Sequence, residues 1–106
     1  MSKIRKAFKM KLYEGFKDEY KKRHDELWPE MISMIHEHGG SDYSIFIDEE
    51  TNYLFGVLSI EDENLWSQTA QTEICKKWWA YMADIMETNE DNSPVSIDLE
   101  EVFYLK

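Results

Sequence analysis

The stretch DYSIFIDEETNYLFGVLSI, residues 42–60, decides the fold. Tyr43, Ile45 and Ile47 alternate with Ser44, Phe46 and Asp48, the period-two pattern of a strand. Glu49–Asn52 is a polar turn and Tyr53–Ile60 a second apolar strand, so the pair reads as a hairpin. Gly56, inside the second strand, marks a bulge or a close backbone approach.

Upstream, residues 4–12 (IRKAFKMKL) place Ile4, Phe8, Met10 and Leu12 on even positions, with Lys6 the exception. That alternation predicts another half-buried strand. Between it and the hairpin the period becomes helical. Phe16, Tyr20, His24, Leu27, Met31 and Ile35 recur every three or four residues. Pro29 interrupts this stripe; proline clashes inside a helix but suits the first position of a new one. Two helical pieces follow, about 15–26 and 29–38, joined at Leu27-Trp28 and closed by Gly39-Gly40.

Downstream, residues 62–69 start a helix, and Thr72–Met86 form a stronger one. Glu87–Pro94 is polar and reads as an ordered loop, and Glu101–Leu105 (EVFYL) as a short closing strand. The order is β-α-β-β-α-β. It predicts an α+β fold of the ferredoxin-like split type, a four-stranded antiparallel sheet with helices on one face. The other face would carry Phe46 and its neighbours, too apolar to stay in water over a large area. Burial against a second copy, as a homodimer, is the expected remedy.

At 106 residues the chain is read as one domain, 1–106. Its 42% hydrophobic and 14% aromatic content exclude a disordered chain. No apolar run approaches the roughly 20 residues of a membrane span, and the charged N-terminus does not resemble a signal peptide. A cytoplasmic protein is expected. The single cysteine, Cys75, excludes an internal disulfide and fits a reducing compartment; its apolar helical setting favours burial over reactivity.

The net charge of −10 is unevenly spread. The first 23 residues hold nine basic against three acidic residues, net +6; the other 83 hold three against 19, net −16. An acidic remainder would repel phosphate, so nucleic acid is not expected as a partner. The basic segment instead suits contact with acidic elements of the same fold or of a second copy. His36 and His38, two apart on a helix, diverge; with no CxxC or HExxH pattern, no metal site is expected.

Candidate functional residues lie on the helices and the hairpin. Tyr20 and His24, at i and i+4, share one helix face. With Tyr43 and the pair Trp78-Trp79 they offer hydroxyls, stacking rings and a group titrating near neutrality, which suits a small polar ligand such as a sugar. From the residues alone a hydrogen-bonded core histidine is the better explanation of His24, since the long apolar stripe already accounts for its position. The tryptophans say more. Adjacent helical residues point about 100° apart. The lines Ile74, Trp78, Tyr81, Ile85 and Cys75, Trp79, Met82, Met86 therefore need two covering surfaces, the sheet and either a ligand or a partner chain. No paired-carboxylate geometry of a glycosidase and no glycine-rich phosphate loop is apparent.

The segments IRKAF (4–8), YKKRH (20–24), WPE (28–30), KWWAYM (77–82), DNSP (91–94) and EVFYL (101–105) together resemble the L-rhamnose mutarotases, nearly end to end and with similar spacing. The departures are Glu87 and Glu90, where such relatives carry proline; both concern the rigidity of one loop. The resemblance implies a dimeric α+β barrel without a cofactor that interconverts the α and β anomers of L-rhamnose. It further implies His24 as proton donor, with Tyr20, Tyr43, Trp78 and Trp79 contacting the sugar. Two other classes compete. A cofactor-free monooxygenase of the dimeric α+β barrel type would consume oxygen, and a non-catalytic sugar-binding dimer would leave anomer exchange unchanged.

Overall fold

The computed structural model describes residues 3–106. Its sheet is built on β1 (Ile4–Lys11), which pairs antiparallel with β3 (Tyr53–Ile60) on one side and β4 (Ser96–Leu99) on the other. Next to β3 lies β2 (Ser41–Asp48), giving the strand order β2-β3-β1-β4. Between β1 and β2 run α1 (Lys17–Asp25) and α2 (Pro29–Glu37). Between β3 and β4 come α3 (Glu63–Ser67), a 3-10 turn (Gln68–Gln71) and α4 (Glu73–Met82).

Local chemistry sets the helix ends. Trp28 is extended and Pro29 opens α2, as its missing N–H and fixed φ require. The helix closes on Gly39 at φ 83°: its N–H bonds the His36 carbonyl and that of Gly40 bonds Ile35, the paired closure of a Schellman motif. Asp62 caps α3 through the Asn64 N–H, and Thr72 caps α4 through that of Cys75.

The even residues of β1 and β3 share one sheet face with Ile45 and Ile47, because Met10 pairs with Leu54, and Leu54 with Ile47. Met10, Leu12 and Leu54 on this face are buried with Tyr20, Met31, Trp78 and Met82 from the helices. The opposite face is left open. Phe46 is 63% exposed and Ile97 56%, and Leu99 is also exposed. The basic N-terminal segment does meet acidic elements: Lys6 bonds Glu63, Lys17 bonds Glu49 and Arg5 pairs with Glu101. No helix among the described residues is long and apolar enough to cross a membrane.

Three expectations need correction. The closing strand is Ser96–Leu99 rather than Glu101–Leu105. EVFYL is apolar enough for a strand, but the ladder with β1 stops at Ala7–Leu99, and residues 101–105 have no partner strand among the described residues. Helix α4 ends at Met82 instead of Met86; beyond it, Met86 is drawn into a bridge with Leu12. Gly56 marks a close approach and no bulge. It pairs in register with Phe8, and a Cβ there would lie 2.4 Å from the Phe8 ring. The bulge is in β2, where the register shifts between Ser41 and Ser44 and Asp42 takes φ 50°.

Candidate active site

Sheet and helices do not close on each other completely. Between them lies a partly open cavity of about 1600 Å³, walled by Phe8, Met10, Tyr43 and Ile45 from the sheet and by Tyr20, His24, Cys75, Trp78 and Trp79 from the helices. The loop Thr88–Pro94 forms part of its rim. Asn89 and Ser93 bond through backbone and side chain, and the Asp91 carboxylate accepts from the Ser93 N–H, so the loop is ordered by its own polar groups.

All five residues singled out in the sequence reach this cavity. Helical spacing brings Tyr20 and His24 together: their rings stack with centroids 4.3 Å apart and planes inclined by 28°. Trp78 reaches His24 from α4, edge to face at 5.3 Å. The β2 bulge sets Asp42 and Tyr43 together opposite the single residue Leu58, and both line the cavity. Tyr43 meets the Phe8 ring edge-on at 6.1 Å. The outer end of that ring occupies the space a Gly56 side chain would fill, so the glycine leaves the room in which the ring lies.

Protonation follows from this enclosure. The Nδ1–H of His24 donates to the Tyr20 carbonyl at 3.0 Å. This selects the Nδ1–H tautomer and leaves Nε2 without a bond among the described residues. Burial lowers the His24 pKa, outweighing the opposing effects of that carbonyl and of Asp25, so the imidazole is neutral at pH 7. Desolvation raises both Tyr20 and Tyr43 well above the usual phenol range, and they stay protonated. Tyr43 as a whole is 39% exposed, but its hydroxyl end is the enclosed part. Tyr20 is buried among the core residues and lines the cavity. Burial likewise pushes the Cys75 thiol up to about 11, which makes it a poor nucleophile at neutral pH.

Chemically, the part of the cavity around His24 offers a basic nitrogen, two neutral phenols and an aromatic wall. Those groups can move a proton between neighbouring oxygens of a polar ligand while rings cover its apolar parts. Sequence reasoning missed how Trp78 is braced from behind by other rings. Trp28, read as a helix junction, stands edge-on to Trp78 at 5.1 Å, and Tyr81 lies 5.6 Å from the same ring. Its position before Pro29, at the junction of two helices, was the available signal.

A family model described as L-rhamnose mutarotase matches residues 5–105. The chain belongs to the L-rhamnose mutarotase family. An L-rhamnose mutarotase of Lachnoclostridium phytofermentans is 69% identical over 102 residues, 96% of this chain and 98% of that protein. One from Shouchella clausii is 62% identical, covering 96% and 98%. The crystal structure of an L-rhamnose mutarotase from Formosa agariphila superposes with a TM-score of 0.90 at 56% identity, over 97% of this chain and 99% of that one. Matches this long and this close favour the mutarotase family over the monooxygenase and the non-catalytic sugar-binding module.

Proposed function

We propose that this protein interconverts the α and β anomers of L-rhamnose at the cavity between sheet and helices, with His24 moving the proton. The observation that carries this reading is the His24 imidazole, neutral, fixed at Nδ1 by the Tyr20 carbonyl and presenting an unbonded Nε2 in an aromatic-walled cavity.

Mutarotation needs the anomeric hydroxyl proton removed, the C1–ring oxygen bond broken and the ring oxygen protonated. Both oxygens are attached to C1, so one nitrogen can serve them in turn. Nε2 takes the anomeric proton, becomes imidazolium, and donates that proton to the ring oxygen as the bond breaks. The open aldehyde turns about C1–C2, and the same steps run backwards on its other face. Stacking on Tyr20 stabilises the transient imidazolium, because the ring face attracts a cation. The protonated Tyr20 and Tyr43 phenols bind sugar oxygens as neutral partners, and Trp78 and Trp79 cover the apolar sugar face or the C6 methyl. No cofactor enters this scheme.

The same reading treats residues 1–106 as one ferredoxin-like domain, a view supported by the strand order β2-β3-β1-β4. A homodimer, the two sheets closing as an α+β barrel, would cover the exposed Phe46, Ile97 and Leu99. A lone reduced cysteine supports a cytoplasmic location.

Saturation-transfer NMR on equilibrated L-rhamnose tests the assignment. The protein should accelerate anomer exchange, and His24→Ala should lower that acceleration by about 10²-fold or more. Near-normal exchange in a folded His24→Ala protein would remove His24 from the mechanism. No acceleration by the folded parent protein would remove the rhamnose assignment itself.

A further inference from the structure

His24 and Trp78 meet across two helices, so their contact depends on how α1 lies against the C-terminal end of α4. Arg23, the residue before His24, joins these two ends. Its Nε donates to Glu19 at 2.7 Å on α1. Its Nη1 donates to the Tyr81 carbonyl at 2.7 Å and to Asp84 at 2.9 Å, and Nη2 reaches the other Asp84 oxygen at 3.4 Å. The guanidinium also lies over the Tyr81 ring, 4.5 Å from its centroid. Only 11% of the Arg23 side chain is exposed, against 68% for Asp84. An arginine covered this far is a built contact rather than a surface ion pair.

The Tyr81 carbonyl needs such a donor. It belongs to the last turn of α4, whose carbonyls lack helical partners, and the Ile85 N–H that could reach it bonds Met82 instead. The negative end of the helix dipole favours a cation at the same place. From Tyr81 the contacts run back to the site. Its ring is 5.3 Å from Trp28 and 5.6 Å from Trp78, and Trp78 stands edge-on to His24. Arg23 and His24 therefore close a circuit through α4 and the aromatic wall.

We propose that Arg23 is a positioning residue for the His24–Trp78 pair, setting the distance and angle at which α1 presents the imidazole to the α4 tryptophan wall. It touches neither sugar nor reacting atoms and acts through Tyr81 and Trp78. The inference rests on the reading of His24 as the proton-transfer residue. Lysine cannot substitute, because a single ammonium cannot hold three acceptors on a planar fork while lying over a ring.

The experiment compares Arg23→Met and Arg23→Lys with the parent protein by two readouts, kcat and KM for L-rhamnose anomer exchange and the NMR titration of the His24 ring. His24 is faced by the Tyr20 ring and carbonyl, by Asp25 and by Trp78, and only the last of these is held by Arg23. Arg23→Met should lower kcat about tenfold or more, as misplacement of a catalytic group does, with KM within about threefold. The His24 midpoint should rise toward about 6.5 as its cover loosens. Lysine should recover less than a third of the lost kcat.

Either a kcat within twofold of the parent with an unmoved His24 midpoint, or a loss confined to KM, or full recovery by lysine, overturns the proposal. Should Arg23→Met fail to fold, Asp84→Asn removes one arm of the contact and keeps the bond to Tyr81. A roughly threefold lower kcat with the same direction of titration shift then supports the proposal, and no change in either overturns it. If His24→Ala itself retains activity, the reading of His24 falls first, and the titration alone shows whether Arg23 positions the imidazole.

Discussion

A histidine enclosed by aromatic rings loses its proton more readily than one in water, because burial disfavours the charged form. That lowering gives His24 two consequences of the same sign. The scheme needs the neutral Nε2, so exchange should hold down to and below the ordinary histidine value of about 6.5 and fall as pH drops through the lowered midpoint. An acid limb above 6.5 would contradict the enclosure. For stability, the unfolded chain binds this proton near 6.5 while the folded chain resists it. Folding stability from this residue is therefore complete above about 6.5 and declines as pH falls through the window below it. Denaturant unfolding of the parent and of His24→Gln between pH 5 and 7.5 isolates the effect as a difference. Tyr20→Phe carries a separate expectation. The change removes only a hydroxyl from a cavity-lining ring and keeps the ring packed, so stability should change by less than about 1 kcal/mol while KM rises. The Tyr20–His24 pair was legible from spacing alone. The Arg23 contact was not, since its acceptors Tyr81 and Asp84 lie 58 and 61 residues away.

Strand and helix positions were mostly legible because β1, β2 and β3 each keep one face apolar, and Pro29 and Gly39-Gly40 carry their own conformational demands. Boundaries failed where a partner decides them. EVFYL has the composition of a strand but no strand to pair with among the described residues, whereas Ser96–Leu99, with a central Asp98, completes a ladder on β1. Met86 continues the α4 stripe in sequence but is better satisfied by Leu12. Lys6, the exception to the β1 pattern, faces inward with the even residues and bonds Glu63. Gly56 shows how one strand position governs the site. A Cβ there would come within 2.4–2.9 Å of three Phe8 ring carbons, so the ring must leave the cavity floor and Tyr43 loses its edge-on contact. Gly56→Ala should cost about 1–3 kcal/mol by overpacking and raise KM more than it lowers kcat, measured by urea unfolding and anomer-exchange kinetics. Unchanged stability would mean that Phe8 has another rotamer available.

At the scale of the whole molecule, the outward sheet face is the feature one chain leaves unsatisfied. Phe46, Ile97 and Leu99 stand in solvent, and the tail beyond them exposes Val102 (91%), Phe103 (78%) and Leu105 (80%). Arg5 holds this tail near the same face by pairing with Glu101 and lying 5.2 Å from the Tyr104 ring. The alternation of Phe46 with Ile45 and Ile47 already implied two apolar faces for β2, and the helices cover one of them. Apolar area of this extent is uncommon on a monomer and ordinary in a dimer interface. Sedimentation equilibrium at tens of micromolar protein should give twice the 12.7 kDa chain mass. Phe46→Lys should weaken that association about tenfold or more, because a desolvated lysine replaces a buried ring. Removing residues 102–106 should act in the same direction. Anomer exchange per folded protomer then separates two kinds of dimer. If Phe46→Lys monomers keep the parent kcat, each cavity is complete within its own chain; if kcat falls with dissociation, the second copy braces or completes the site. A parent protein that sediments as a monomer would show that the open face is tolerated in water.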